Sequence, residues 1–154
     1  MKRVLVIGCG GSGKSTFSRN LSEKIKLPVI HLDKLFWKEG WVNISKEEFD
    51  SLLNEELKKE KWIIDGNYDR TLKERLKRCD TVVYLDYPRR VCLFGVIKRV
   101  ISSYGKVRPD MAGGCPERFD LDFMKWIWNF NKTHRANFYN ILKEEKDINC
   151  TRKT

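Results

Sequence analysis

The chain has 154 residues, 41% hydrophobic and 34% charged, which fits one domain with a packed core and excludes a largely disordered polymer. No apolar run approaches the roughly 20 residues of a membrane span, and the apolar stretch after Met1, Lys2 and Arg3 ends at Ile7, short of the about 7–15 residues of a signal-peptide core. The formal net charge of +10 fits nucleic acid, phosphorylated small molecules or a plain solvated surface; Lys58, Lys59, Lys73 and Lys77 interleave with Glu55, Glu56, Glu60 and Glu74 as ordinary helix-surface pairs do.

Lys2 to Ile7 reads as a first strand, and residues 14–25 as a helix with Phe17, Leu21 and Ile25 four apart. Pro28 opens a second strand, Val29 to Leu32. Ser45 with Glu48 three residues on forms a capping box for a helix through Phe49, Leu52, Leu53 and Leu57 to about Lys59. Trp62 to Asp65 is a third strand, 69–78 a short helix, and Thr81 to Leu85 a fourth strand. Pro88 starts a helix expected to bury some of Val91, Leu93, Phe94, Ile97 and Ile101. Residues 105–120 hold three of the ten glycines, two of the four prolines, and both Arg108 and Arg118, and read as a loop or lid. Helical spacing returns from Leu121 through Phe123, Trp126, Ile127, Phe130, His134, Phe138, Ile141 and Leu142, and the tail is polar. The five cysteines are odd in number and lack C-x-x-C spacing, which argues against a disulfide framework or a zinc site; reduced thiols in the cytoplasm are expected.

Strands alternating with helices predict an α/β fold, a parallel sheet between two helical layers, with ligands at the carboxyl edge of the strands. Gly8, Asp33, Asp65 and Asp86 follow strand ends and are expected to face one cleft, although Asp86-Tyr87-Pro88 also reads as a simple strand-to-helix turn.

Residues 8–16, GCGGSGKST, match G-x-x-x-x-G-K-[ST] between a strand and a helix. Gly8, Gly10, Gly11, Ser12, Gly13, Lys14, Ser15 and Thr16 therefore form a candidate phosphate-binding loop for ATP: backbone N–H groups cradle phosphate, Lys14 reaches the β- and γ-phosphates, and the Ser15 hydroxyl binds Mg²⁺. Cys9 reads as a tolerated small side chain. Asp65, closing WIIDG, is the second candidate Mg²⁺ residue, with an Asx-turn residue as the plain alternative. Arg99, Arg108, Arg118 and Arg135 lie in or beside the lid and could close on a transferring phosphoryl group, Arg99 and Arg135 ahead of Arg118. His31, His134, Trp126 and Trp128 read as structural.

The segments GCGGSGKST, HLDKLFWKEGW, WIIDGNYDRT, VVYLDYPRRVCLFGVIKR, GKVRPDMAGGCPERFD and FMKWIWNF together resemble the adenylate-kinase-like small P-loop kinases and, within them, the bacterial DNA topology modulation proteins (FlaR-like). The resemblance spans Val4 to about Arg135. It implies a single P-loop kinase domain with a five-stranded parallel core, an acceptor-binding segment over 34–60, a mobile lid over 105–120, Asp33 in the acceptor region, Asp65 near Mg²⁺, and Arg99 and Arg135 near the transferred phosphoryl. Two departures stand out. KDINCTRKT is too short and polar to supply both the last strand and the last helix of that fold, leaving a missing or atypical C-terminal element and an open sheet edge that could dimerise. No arginine occurs from Asn20 to Asp69, where monophosphate kinases grip the acceptor phosphate; Lys34, Lys38 and Lys46 stand there, with Arg70 just beyond.

The expectation is an ATP- and Mg²⁺-dependent transfer to a small acceptor, a nucleoside or nucleotide among the candidates, with Lys14, Asp33, Arg99, Arg108 and Arg135 as catalytic residues and Asp33 orienting the acceptor or taking its proton. Two alternatives stay open: a nucleic-acid-associated modulator of DNA topology, for which no reading motif is visible, and an ATP-binding switch without turnover. Phe36, Trp37 and Trp41 form either an acceptor wall or packing that anchors the segment.

Overall fold

A computed structural model of the chain describes residues 1–144 and 148–154. Five parallel strands run in the order β2 (Val29–His31), β5 (Trp62–Asp65), β1 (Arg3–Gly8), β6 (Thr81–Leu85) and β7 (Asn149–Lys153). The central strands carry continuous apolar runs because both faces are covered. On one face, Val4, Val6, Ile63, Val83 and Leu85 pack against α1 (Lys14–Ile25) through Phe17, Leu21 and Ile25. On the other, Leu5, Ile7, Trp62, Ile64, Val82 and Tyr84 share a core with α3 (Lys46–Leu57), α4 (Leu72–Arg78), α5 (Arg89–Ser103), α6 (Leu121–Phe130) and α7 (Ala136–Glu144). The α/β fold with a parallel sheet is as expected.

The Ser45 hydroxyl caps α3 by accepting from the Glu48 amide at 3.1 Å. Four features differ from the sequence expectation. The second strand stops at His31, and Leu32 begins a short helix, α2 (Leu32–Phe36), followed by the two-residue strands β3 (Trp37–Lys38) and β4 (Val42–Asn43). The 69–78 segment opens with a 3-10 turn, Asp69–Thr71, before α4.

α5 buries Cys92, Val96 and Val100, while Val91, Phe94, Ile97 and Ile101 are exposed and Leu93 is half-buried. The facing glycines decide this. Gly95 lies on the Gly11 carbonyl, and a side chain at either glycine would collide with the opposite backbone, so α5 seats this face on the 8–16 loop.

The fifth strand, expected to be missing or atypical, is present. β7 pairs with β6 from Thr81↔Asn149 to Leu85↔Lys153, and all five of its residues are exposed. It is held through backbone bonds, which do not require apolar side chains, and it remains an open polar edge. No helix follows it among the described residues. No helix among them is long and apolar enough to cross a membrane, and no disulfide joins them.

Candidate active site

The carboxyl ends of β1, β2 and β5 open into a cavity of about 870 Å³ lined by Lys14, Ser15, Asp33, Asp65, Arg99 and Arg108 among others. Its floor is the 8–16 loop. Gly8, Gly11 and Gly13 adopt positive φ (148°, 76° and 85°), which folds the loop back on itself at little steric cost. Gly13 caps α1 with no side chain bonded to the helix amides, and nothing lies within 4 Å of where its Cβ would be. The amino terminus of α1 therefore presents unbonded N–H groups and its positive dipole end to the cavity. Lys14 Nζ donates to the Cys9 carbonyl at 2.9 Å, and the Gly8 amide donates to Asn67 Oδ1 at 3.0 Å, which ties the loop to the turn after β5.

Asp65 Oδ2 accepts from Ser15 Oγ at 2.7 Å and faces His31 Nδ1 at 2.8 Å. Its other oxygen, Oδ1, is buried and makes no hydrogen bond. A buried orphan acceptor beside a hydroxyl is an arrangement that a hard cation completes, so Ser15 and Asp65 fit Mg²⁺. Among the described residues no three His, Cys, Asp or Glu side chains form a ready-made cage. That is in keeping with Mg²⁺ taking its remaining ligands from water and phosphate. His31 was not singled out for this role in the sequence; its ring orients Asp65, the kind of outer partner that a metal-site carboxylate commonly has.

Asp33 lies in the first turn of α2, not in a loop, and accepts from Tyr68 Oη at 2.7 Å. Burial pushes its carboxyl above the usual range; the Tyr68 bond opposes this and the nearby Asp65 charge adds to it. Tyr68 holds a left-handed φ of 42° and stacks on Phe49 at 5.0 Å; burial and the Asp33 charge raise its phenol. The 66–68 turn is fixed from behind by Arg75, fully buried, whose guanidinium donates to the carbonyls of Gly66 (2.8 Å), Asn67 and Tyr68 (3.0 Å). Nothing in the periodicity marks Arg75 for this; a charged residue on the apolar face of a short helix is the only signal.

Phe36, Trp37, Trp41 and Trp126 wall the same cavity. Phe36–Trp37 and Trp37–Trp41 meet edge to face at 5.0 and 5.5 Å.

The 105–120 segment is a loop folded over the cleft and pinned at both ends of its span. Val107 bridges Pro116, and the Gly105 and Glu117 amides bond across to the Glu117 and Lys106 carbonyls. It also docks on the 34–60 segment: the Gly40 amide donates to the Gly114 carbonyl, Cys115 Sγ to the Lys38 carbonyl, and Trp41 Nε1 to the Pro116 carbonyl (2.9, 3.1 and 3.2 Å). Arg99 and Arg108 both line the cavity and share Glu117, at 3.1 and 2.7 Å; Arg108 also meets Asp110 at 2.6 Å. Burial and the adjacent Arg108 charge lower the Arg99 pKa, partly offset by Glu117. Arg118 lines the cavity rim, with its guanidinium 5.0 Å above the Trp41 ring.

Arg135 corrects the sequence expectation. It does not line this cavity but lies in a second one of about 530 Å³, where it meets Asp86 at 2.8 Å. Asp86 shares that second cavity rather than the common cleft, and also binds Arg152 (2.8 Å) and Tyr139 Oη (2.6 Å). It is a structural hub joining β6, β7 and α7. The neighbour of Arg135, His134, joins Phe123 and Trp126 of α6 in lining the main cavity and lies 2.5 Å from Asp69. The cause is a π-helical turn, Asn131–Arg135, between α6 and α7, which rotates the register by part of a turn.

The sequence matches no protein-family model and no curated protein. The structure is similar to a shikimate kinase from Acinetobacter baumannii in complex with shikimate, at 18% identity and a TM-score of 0.62 over 100% of this chain and 84% of that one. It is also similar to a deoxyadenosine kinase from M. mycoides with the products dCMP and a flexible dCDP bound, at 16% identity and a TM-score of 0.55 over 98% of this chain and 89% of that one. At these identities the likeness establishes the fold: the chain has the parallel α/β architecture of these P-loop kinases.

Proposed function

We propose that the chain is an ATP- and Mg²⁺-dependent phosphotransferase whose acceptor is a small, uncharged, hydroxyl-bearing molecule with a flat or apolar body, nucleosides being the class that fits. One observation carries the reading: an uncapped phosphate loop and a Tyr68-held carboxylate, Asp33, line a single cavity that the lid covers. Lys14 and the α1 amides hold the phosphates, and Ser15 with Asp65 would hold the Mg²⁺, which neutralises charge on the transferred group. Asp33 accepts the proton as the acceptor oxygen bonds to the γ-phosphorus and the bond to the β,γ-bridging oxygen breaks. Burial raises this carboxyl, which makes it a stronger base than an exposed one. Arg99 and Arg108 steady the transferring charge.

The preference for an acceptor without phosphate rests on where the arginines are. Arg70, the one arginine near the acceptor wall in sequence, is bound bidentately by Asp50 at 2.6 and 2.8 Å on the surface and does not line the cavity. Apart from Arg118, which lies over Trp41 at the rim, the wall offers rings and carboxylates, which stack on and hydrogen-bond a neutral body. The resemblance to DNA topology modulation proteins suggests a nucleic-acid role, and nothing in this cavity favours it over small-molecule transfer.

The test is a thermal-shift and turnover screen of nucleosides, nucleotides and other hydroxylated compounds with ATP and Mg²⁺. Lys14→Ala is expected to abolish turnover. Asp33→Asn is expected to lower it about 10²–10⁴-fold with ATP affinity kept. Near-normal turnover in Lys14→Ala would sink the mechanism, and ATP binding with no turnover on any acceptor would favour a non-catalytic switch.

A further inference from the structure

The lid carries a carboxylate that the proposed mechanism has not used. Asp110 is 5% exposed, lines the main cavity together with Ser15, Asp33 and Asp65, and is steered there by Arg108 at 2.6 Å. The Arg108 guanidinium and the Ser15 hydroxyl both lie against it.

Asp33, Asp65 and Asp110 thus line one cavity, in which Lys14 is turned to the Cys9 carbonyl and Arg108 divides itself between Asp110 and Glu117. Asp65 Oδ1 adds the second, independent sign, a buried oxygen with no hydrogen bond. A buried carboxylate oxygen without a partner, close to a hydroxyl and a second carboxylate, is completed by a cation of high charge density.

We propose that Asp110 is the lid's own contribution to the divalent-cation site of Ser15 and Asp65, so that binding the cation and shutting the lid are one event. This rests on the phosphotransferase reading for the presence of a metal. The coupling would reach the acceptor, because the lid is bonded to the acceptor segment at Gly114, Cys115 and Pro116. A pull on Asp110 would set the position of Trp41 and the ring wall. Asp110 is a positioning residue here: it would draw the lid to the metal without touching the reacting atoms.

The test uses the full chain with Mn²⁺ and a non-hydrolysable ATP analogue, reading free Mn²⁺ by electron paramagnetic resonance and lid closure by amide hydrogen exchange. In the wild type, Mn²⁺ with the analogue is expected to slow exchange at the lid amides of Gly105 and Glu117 and at Gly40. Asp110→Asn is expected to weaken Mn²⁺ binding roughly tenfold and to abolish the metal-dependent slowing, with analogue affinity in the absence of metal unchanged. Asp110→Glu should restore part of both. Glu117→Gln, which removes the other carboxylate partner of Arg108 and keeps the Arg108–Asp110 pair, should keep the Mn²⁺ affinity. Unchanged Mn²⁺ affinity and lid protection in Asp110→Asn would overturn the proposal, as would Glu117→Gln weakening Mn²⁺ as much as Asp110→Asn. A wild type that binds neither analogue nor Mn²⁺ would overturn the phosphotransferase reading along with it, whereas binding indifferent to Asp110 removes only this inference.

Discussion

Replacing Arg75 by Met tests whether the site is shaped from behind. Met keeps most of the apolar stem and deletes the guanidinium, leaving the Gly66, Asn67 and Tyr68 carbonyls without their donor. A buried acceptor left unmade costs about 1–3 kcal/mol. Three would cost more than the net effect, because removing Arg75 also removes the cost of burying its charge. That cost is visible in a pKa lowered to about 10, which still leaves the group protonated at neutral pH. The net destabilisation is on the order of 3 kcal/mol, or about 6–12 °C in Tm at roughly 2–4 °C per kcal/mol. Urea unfolding followed by circular dichroism measures it. Arg75→Lys should recover only part, since one ammonium cannot reproduce the fork. The same change frees the turn bearing Asn67, which holds the Gly8 amide, and Tyr68, which holds Asp33, so turnover should fall further than stability alone explains. A loss below about 1 kcal/mol, the typical worth of a single hydrogen bond, with turnover intact would refute the argument.

Asp33→Asn should make the fold more stable at neutral pH. The folded carboxyl titrates above the ordinary value, so the folded chain holds a proton that the unfolded chain has lost, and stability falls as pH rises through that window. The variant lacks this fall, and the two Tm curves should merge below about pH 4; a variant less stable than wild type at pH 7 would remove the burial argument. Asp86→Asn should act in the opposite sense. Burial raises the Asp86 pKa, but Tyr139, Arg135 and Arg152 outweigh it and hold it low, so its contribution is present above the ordinary carboxylate pKa and lost as pH falls through the folded value. With two half-exposed arginine partners the expected loss at pH 7 is about 2 kcal/mol, less than a fully buried pair would show, with faster exchange at the Asp86 amide that donates to Lys153. Gly95→Ala should cost about 1–3 kcal/mol by forcing α5 off Gly11 and weaken ATP binding, measured by titration calorimetry; unchanged affinity would show that α5 does not support the phosphate loop.

The parts of the molecule governed by local rules were legible. The glycine-turned loop between β1 and α1, the apolar strands and the Ser45 cap each follow from a residue pattern with its own physical cause. What escaped depended on contacts between distant segments. Both sides of α5 are apolar, and only the meeting of Gly95 with Gly11 chooses the buried one. His134 and Arg135 are neighbours, and a helical wheel cannot say which enters the cleft once a π-turn intervenes. The fifth strand is built from Asn149–Lys153, all five exposed and mostly polar, so no apolar signal could mark it. The glycines and prolines of 105–120 announced a loop but not its docking on Lys38, Gly40 and Trp41.

That docking alters how the +10 charge bears on function. A triphosphate needs positive charge at the site, yet Arg99 and Arg108, two of the four arginines that line the cavity, are already held by Glu117 and Asp110. The surplus cations therefore lie elsewhere, and the cleft itself is close to balanced. On the phosphotransferase reading, ATP must either draw Arg99 and Arg108 away from their carboxylates or leave them paired and rely on Lys14, the α1 amino terminus and the metal. The first course loosens the Glu117 contacts that hold the lid to α5. The second keeps the lid shut over an acceptor site whose wall it already touches. A buried arginine shared with a carboxylate gives up that partner only for one of comparable charge and geometry, such as a phosphate that accepts two N–H bonds at once. On that reading the Glu117 pairing would act as a threshold, which water and neutral ligands leave intact and a bound triphosphate contests.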